Sequence, residues 1–148
     1  MYKALVFVLC SLPMPAAFSA ESSGQSTPEQ RIRHLFVLLE SEKLDELGAM
    51  VAEDFEFYDP TAGVRLSGRA QSLDYLRLVF AQQSGIRVKL TKLEPLGDRV
   101  VWVTGVWTGQ FQGKRFSAPF LSAFVLNEQL EIQSQVDHFD LADLTASK

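Results

Sequence analysis

Cysteine is almost missing from this sequence. The single one, Cys10, stands within the first twenty of 148 residues, so the rest of the chain has no disulfide, no thiolate nucleophile and no cysteine metal ligand. Histidine is scarce as well. His34 and His138 are the only two, and no third ligand stands at a zinc-site spacing from them, so no metal is expected. There is no glycine-rich phosphate loop, no dinucleotide fingerprint and no Ser-His-Asp pattern, which leaves nucleotide and redox chemistry unsupported and no cofactor expected. Massed positive charge is also lacking. The formal net charge is −4, and Arg31, Arg33, Arg65, Arg69, Arg87 and Lys89 are scattered, unlike a nucleic-acid footprint.

Long apolar runs are absent too. The longest, from Ala4 to about Met14, is closed by Pro13 and Pro15, whereas a membrane-spanning helix needs about 20 apolar residues. Lys3 before that run and small residues after it make a signal-peptide layout over residues 1–20. Cleavage is available after Ser19, with Ala17 at the −3 position, or after Ala20. The mature chain is then expected in the periplasm or outside the cell. Residues 21–27 are small and polar and read as a flexible lead-in. Residues 28–145 read as one domain, stabilised by its core alone; the 47% hydrophobic content is ordinary for that.

What is present is helical and strand periodicity in a definite order. Thr27-Pro28-Glu29-Gln30 offers a capping hydroxyl, a proline at the first helical position and a glutamine at the third. Ile32, Leu35, Phe36 and Leu39 follow at helical spacing, and a second helix is expected over 42–52. Phe55-Glu56-Phe57 alternates as a short strand that must end at Asp59-Pro60. A turn-rich loop is expected up to Gly68, then a third helix over 69–83 with Ser67 as its cap. Four strands complete the chain: 86–91, 99–111, 114–126 and 130–139, with turns at 95–98, 112–113 and 127–129. Pro119 is expected to bulge the third of these. Three helices segregated to one side of a twisted antiparallel sheet form an α+β two-layer fold, and a curved sheet leaves a concavity that helices fill only partly.

Two stretches carry a family resemblance. Val51-Ala-Glu-Asp-Phe-Glu-Phe-Tyr-Asp-Pro60 followed by Gly68-Arg69, and the terminal Ile132-Gln-Ser-Gln-Val-Asp137, resemble the nuclear-transport-factor-2-like superfamily, in particular its ketosteroid-isomerase-like and SnoaL-like members. The resemblance implies a cone-shaped fold, three N-terminal helices on a curved, mixed, mainly antiparallel sheet, with homodimers formed through the sheet. It places Asp59 where the isomerases keep the carboxylate that moves a proton alpha to a ketone. It places Leu35 and Ser122 where they keep two oxyanion donors. Leucine donates no hydrogen bond and serine is a weaker donor than a buried carboxylic acid, so ketosteroid isomerase activity itself is not expected. Asp137 approximately matches the acid/base of the SnoaL-like cyclases.

Each candidate has a plainer alternative. Asp59 either serves as a base or merely holds the Asp-Pro turn. Asp137 either faces Asp59 in a pocket or is a solvated rim residue among Asp140 and Asp143. Gln135, Asp137 and Phe139 share one strand face, expected to look inward, with Val136 and His138 on the other. Phe116, Phe120 and Phe124 share a face of the preceding strand and form either an aromatic floor for a flat ligand or simply core; Ser122 among them suits a cavity better. Trp102 and Trp107 should lie on opposite faces. Three functions stay open. The protein binds a small apolar molecule through Leu35, Phe116, Phe120, Ser122, Gln135 and Phe139, without a reaction. Or it transfers protons, with Asp59 as base and Asp137 as partner. Or it is an association domain that uses the outer sheet face.

Overall fold

A computed structural model describes residues 26–140. The expected leader over 1–20, most of the lead-in, the final residues of the expected domain and Asp143 lie outside the described residues. The described residues form three helices and a six-stranded mixed sheet, an α+β cone of the nuclear-transport-factor-2-like kind. Helix α1 (Pro28–Glu40) opens on the expected capping box: the Gln30 amide donates to Thr27 Oγ1 at 3.2 Å, and the Thr27 amide donates back to Gln30 Oε1 at 3.0 Å. Its buried face is Ile32, Leu35, Phe36, Leu38 and Leu39.

Helix α2 (Leu44–Gly48) is shorter than expected. Glu42 takes a left-handed φ of 54° at its approach. At its other end Val51 and Ala52 leave the helix for strand β1 (Val51–Asp59), where β-branched Val51 pairs with Ile132. Strand β2 (Val64–Ser67) occupies the stretch expected to be a loop, pairing antiparallel with β1. Four alternating residues were too short a run to separate from turn. Helix α3 (Arg69–Gln82) is capped by Gly68, not Ser67. Gly68 holds a φ of 90°, a conformation open to glycine, and its amide donates to the Phe55 carbonyl at 2.7 Å. The Ser67 hydroxyl instead donates to Glu56 at 2.6 Å. Arg69 ties the start of α3 to β1 through the Val51 carbonyl at 3.0 Å.

Strands β3 (Gln83–Leu96), β4 (Val100–Phe111), β5 (Lys114–Leu126) and β6 (Ile132–Phe139) complete the sheet, in the order β2-β1-β6-β5-β4-β3. Only β1 and β6 run parallel. β3 extends past the expected turn, since Pro95 and Leu96 still pair with Val101 and Val100; β3 is an edge strand, where a missing amide is tolerated. The expected bulge at Pro119 does not form. Pro119 pairs with Val106 in unbroken register, and its carbonyl faces β6, accepting from the Asp140 amide at 2.9 Å. The absent proline amide points the same way, past the end of β6, so the ladder to β4 is intact.

The core lies where α1 crosses β4 and β5. Phe36 packs on Phe120 and Phe124 with ring centroids 5.8 and 6.0 Å apart. Gly105 makes room for this, because a Cβ there would lie 2.8 Å from the Phe120 ring. Helix α3 behaves differently: Ser72 is its only fully buried residue. Leu73 and Leu76 pack against the margin of the core, and together with Val79 they border open space above the sheet. Among the described residues no helix is long and apolar enough to cross a membrane.

Candidate active site

That space is a cavity of about 870 Å³ between α3, the inner sheet face and α1. Inward side chains from every strand of the sheet reach it. Alternation along β1 turns Phe55, Phe57 and Asp59 inward, and along β6 it turns Gln135, Asp137 and Phe139 inward. β4 contributes Trp107, while Trp102 lies on the outer face, 46% exposed. Both carboxylates therefore line one largely apolar cavity, Asp59 6% and Asp137 7% exposed.

Their surroundings differ. Asp59 Oδ1 accepts from the Thr61 amide at 2.8 Å and the Ala62 amide at 3.1 Å, so this carboxylate does hold the Asp-Pro turn while it faces the cavity. Asp137 is held by side chains. Ser122, directly across on β5, donates to Oδ1 at 2.6 Å, and the Gln135 amide donates to both oxygens at 2.9 Å. Burial pushes the Asp137 carboxyl up to about 6, against the pull of these two donors, and the charge of Asp59 adds to the rise. Asp137 is thus buried inside and not on a solvated rim. His138 turns to the other face, as expected for adjacent strand residues, with Nδ1 3.5 Å from the Thr61 hydroxyl. Among the described residues, no three of His, Cys, Asp and Glu gather as a metal site.

A SnoaL-like domain model matches residues 32–133, more than half of the chain. The chain belongs to the SnoaL-like family. No curated protein matches it. Among solved structures, a protein of Shewanella denitrificans assigned as a SnoaL-like polyketide cyclase is 16% identical with a TM-score of 0.73, over 80% of this chain and 93% of that one. A ketosteroid-isomerase-like fold from Catenulispora acidiphila, in complex with trimethylamine, is 24% identical with a TM-score of 0.72, over 81% and 92%. An epoxide hydrolase of M. tuberculosis is 17% identical with a TM-score of 0.69, over 78% and 84%. At these identities the likeness is one of fold.

Within this SnoaL-like cavity, Leu35, Phe116, Gln135 and Phe139 are part of the lining. Phe120 and Ser122 stand behind it, and the expectation that they touch a ligand gives way for two reasons. The Phe120 ring is enclosed by Phe36 and Phe139, at 5.8 and 5.9 Å. Ser122 lies beneath Asp137, which takes its hydrogen bond. Tyr75 was missed. It sits on the α3 face that carries Ser72, Leu76 and Val79 into the cavity, one position off the apolar stripe. The only sequence signal was a phenol at that helical phase.

Proposed function

We propose that this SnoaL-like protein is a proton-transfer enzyme acting on a small, flat, apolar carbonyl compound, with Asp137 as the group that takes and returns the proton. The observation that carries this is a buried carboxylate in an apolar cavity, with a pKa near 6 rather than in the usual carboxylate range. Near neutral pH such a group is ionised yet basic enough to accept a carbon-bound proton. Asp59 was the expected base, but its Oδ1 is engaged by the two backbone amides of the Asp-Pro turn. We assign it the supporting role of a fixed charge that raises its partner. The cyclase assignment of the Shewanella denitrificans protein supports chemistry of this kind in the fold.

Asp137 removes the proton alpha to the carbonyl, the C–H electron pair becomes the enolate double bond, and the carbonyl electrons move to oxygen. The same proton, or one exchanged from solvent, then returns to carbon. The test is α-deuteration of 2-tetralone in D2O followed by proton NMR. Wild type is expected to exceed the buffer rate and Asp137→Asn to fall to it. No acceleration by wild type would leave the cavity as a binding site without a reaction.

An exposed apolar row on the outer sheet face favours self-association as well. Trp102 stands beside Ala123, Ala123 beside Val136, and Val136 beside Tyr58, with Leu121 and Val125 flanking. We assign this face to a homodimer of an exported chain.

A further inference from the structure

An enolate formed in this cavity needs a hydrogen-bond donor for its oxygen, and nearly every polar group in the wall is already engaged. The Ser72 hydroxyl donates to the Gly68 carbonyl at 3.0 Å, Trp107 Nε1 to Gln83 at 3.2 Å, and the Gln135 amide to Asp137. Ser122 is spent on Asp137 and Leu35 has nothing to donate. Gln112, Lys114 and Arg115 gather at the far end, where β4 turns into β5, while the Gln83 side chain at the start of β3 is turned to the Trp107 indole. From Ser122, opposite Asp137, to Lys114 is eight residues of β5, roughly 26 Å of strand.

Tyr75 is the exception. Its ring centroid lies 6.1 Å from that of Phe57, an inward residue of β1 two positions from Asp59 and paired with Gln135 on β6. The phenol therefore hangs from α3 above the two strands that carry both acids. Its hydroxyl has no hydrogen-bond partner among the described residues.

Resting on the proton-transfer reading, we infer that the Tyr75 hydroxyl donates to the reacting oxygen of the substrate. It thereby takes the oxyanion role that Leu35 and Ser122 cannot fill, and it selects ketones thin enough to lie between α3 and the β1–β6 floor. Desolvation, and then the nearby charges of Asp59 and Asp137, raise the Tyr75 hydroxyl above its ordinary value. It stays protonated, and so a donor, at neutral pH, where Asp137 is ionised.

The test compares wild type, Tyr75→Phe and Asp137→Asn with 2-tetralone, reading two things: the carbonyl stretch of the bound ketone by infrared difference spectroscopy, and α-deuteration. The stretch is expected to lie lower in wild type than in Tyr75→Phe. Loss of one oxyanion donor should slow exchange by about 100-fold or more with little change in KM. An identical stretch in the two proteins overturns the inference. So does exchange that Asp137→Asn abolishes and Tyr75→Phe leaves intact, and so does failure of the ketone to bind wild type. A stretch that depends on Tyr75 without any catalysed exchange would instead contradict the proton-transfer reading while the Tyr75 contact stands.

Discussion

Asp137 carries two opposed duties. Its pKa rises from 3.8 to about 6 on folding, so between those values the folded chain holds a proton that the unfolded chain has released. The sign follows from linkage. Stability tied to this group is fully present below the unfolded value, is lost as pH climbs toward 6, and above 6 the ionised carboxylate costs about 3 kcal/mol, two units at 1.36 each. Asp137→Asn removes that charge and keeps the shape, with Gln135 and Ser122 free to turn and re-pair. In urea unfolding the variant is expected to be more stable than wild type at pH 8 by up to about 3 kcal/mol, and to lose most of that advantage at pH 4. An equal difference at both pH values would show that no buried charge is being removed. Asp59 was legible from the family resemblance of its Asp-Pro stretch, and Asp137 from that of the last strand together with the alternation Gln135-x-Asp137-x-Phe139. The partition of roles between them was not, because it depends on which hydrogen bonds each carboxylate receives.

At the scale of elements, strand period carried the reading furthest. β5 was legible to its ends because Phe116, Phe120 and Phe124 keep one face through an unbroken register with β4. The capping box at Thr27 likewise fixed the start of α1. Misreadings came where long-range pairing overrode local signals. Val51 and Ala52 had helical neighbours but were drawn into β1 beside β6, and β2 exists because β1 offers it an edge. The depth of α3 was beyond the sequence. Its apolar stripe of Leu73, Leu76 and Val79 is the same pattern a fully packed helix would show, yet it lines open space. Tyr75 went unnoticed for that reason, since a phenol beside a packed stripe is surface, whereas beside a cavity it is a wall group.

For the molecule as a whole, the sheet separates two surfaces. The inner one, with the helices, keeps the carboxylates from solvent; the outer one leaves Trp102, Val136 and Tyr58 exposed in a row. Native mass spectrometry of protein expressed from Met1 and sought outside the cytoplasm tests both surface and the proposed export. The expected species is a dimer of chains beginning at Ala20 or Glu21, reduced to monomers by Trp102→Lys. A wild-type monomer, or a dimer that survives the substitution, contradicts the interface, and an uncleaved Met1 contradicts export. The central claim is that the fold holds Asp137 dry enough to work as a proton carrier near neutrality, and carbon-detected NMR titration of its side-chain carboxyl tests this without a substrate. A midpoint near 6 is expected; a midpoint near 4, the ordinary aspartate value, would mean that water reaches this carboxylate and would contradict the account.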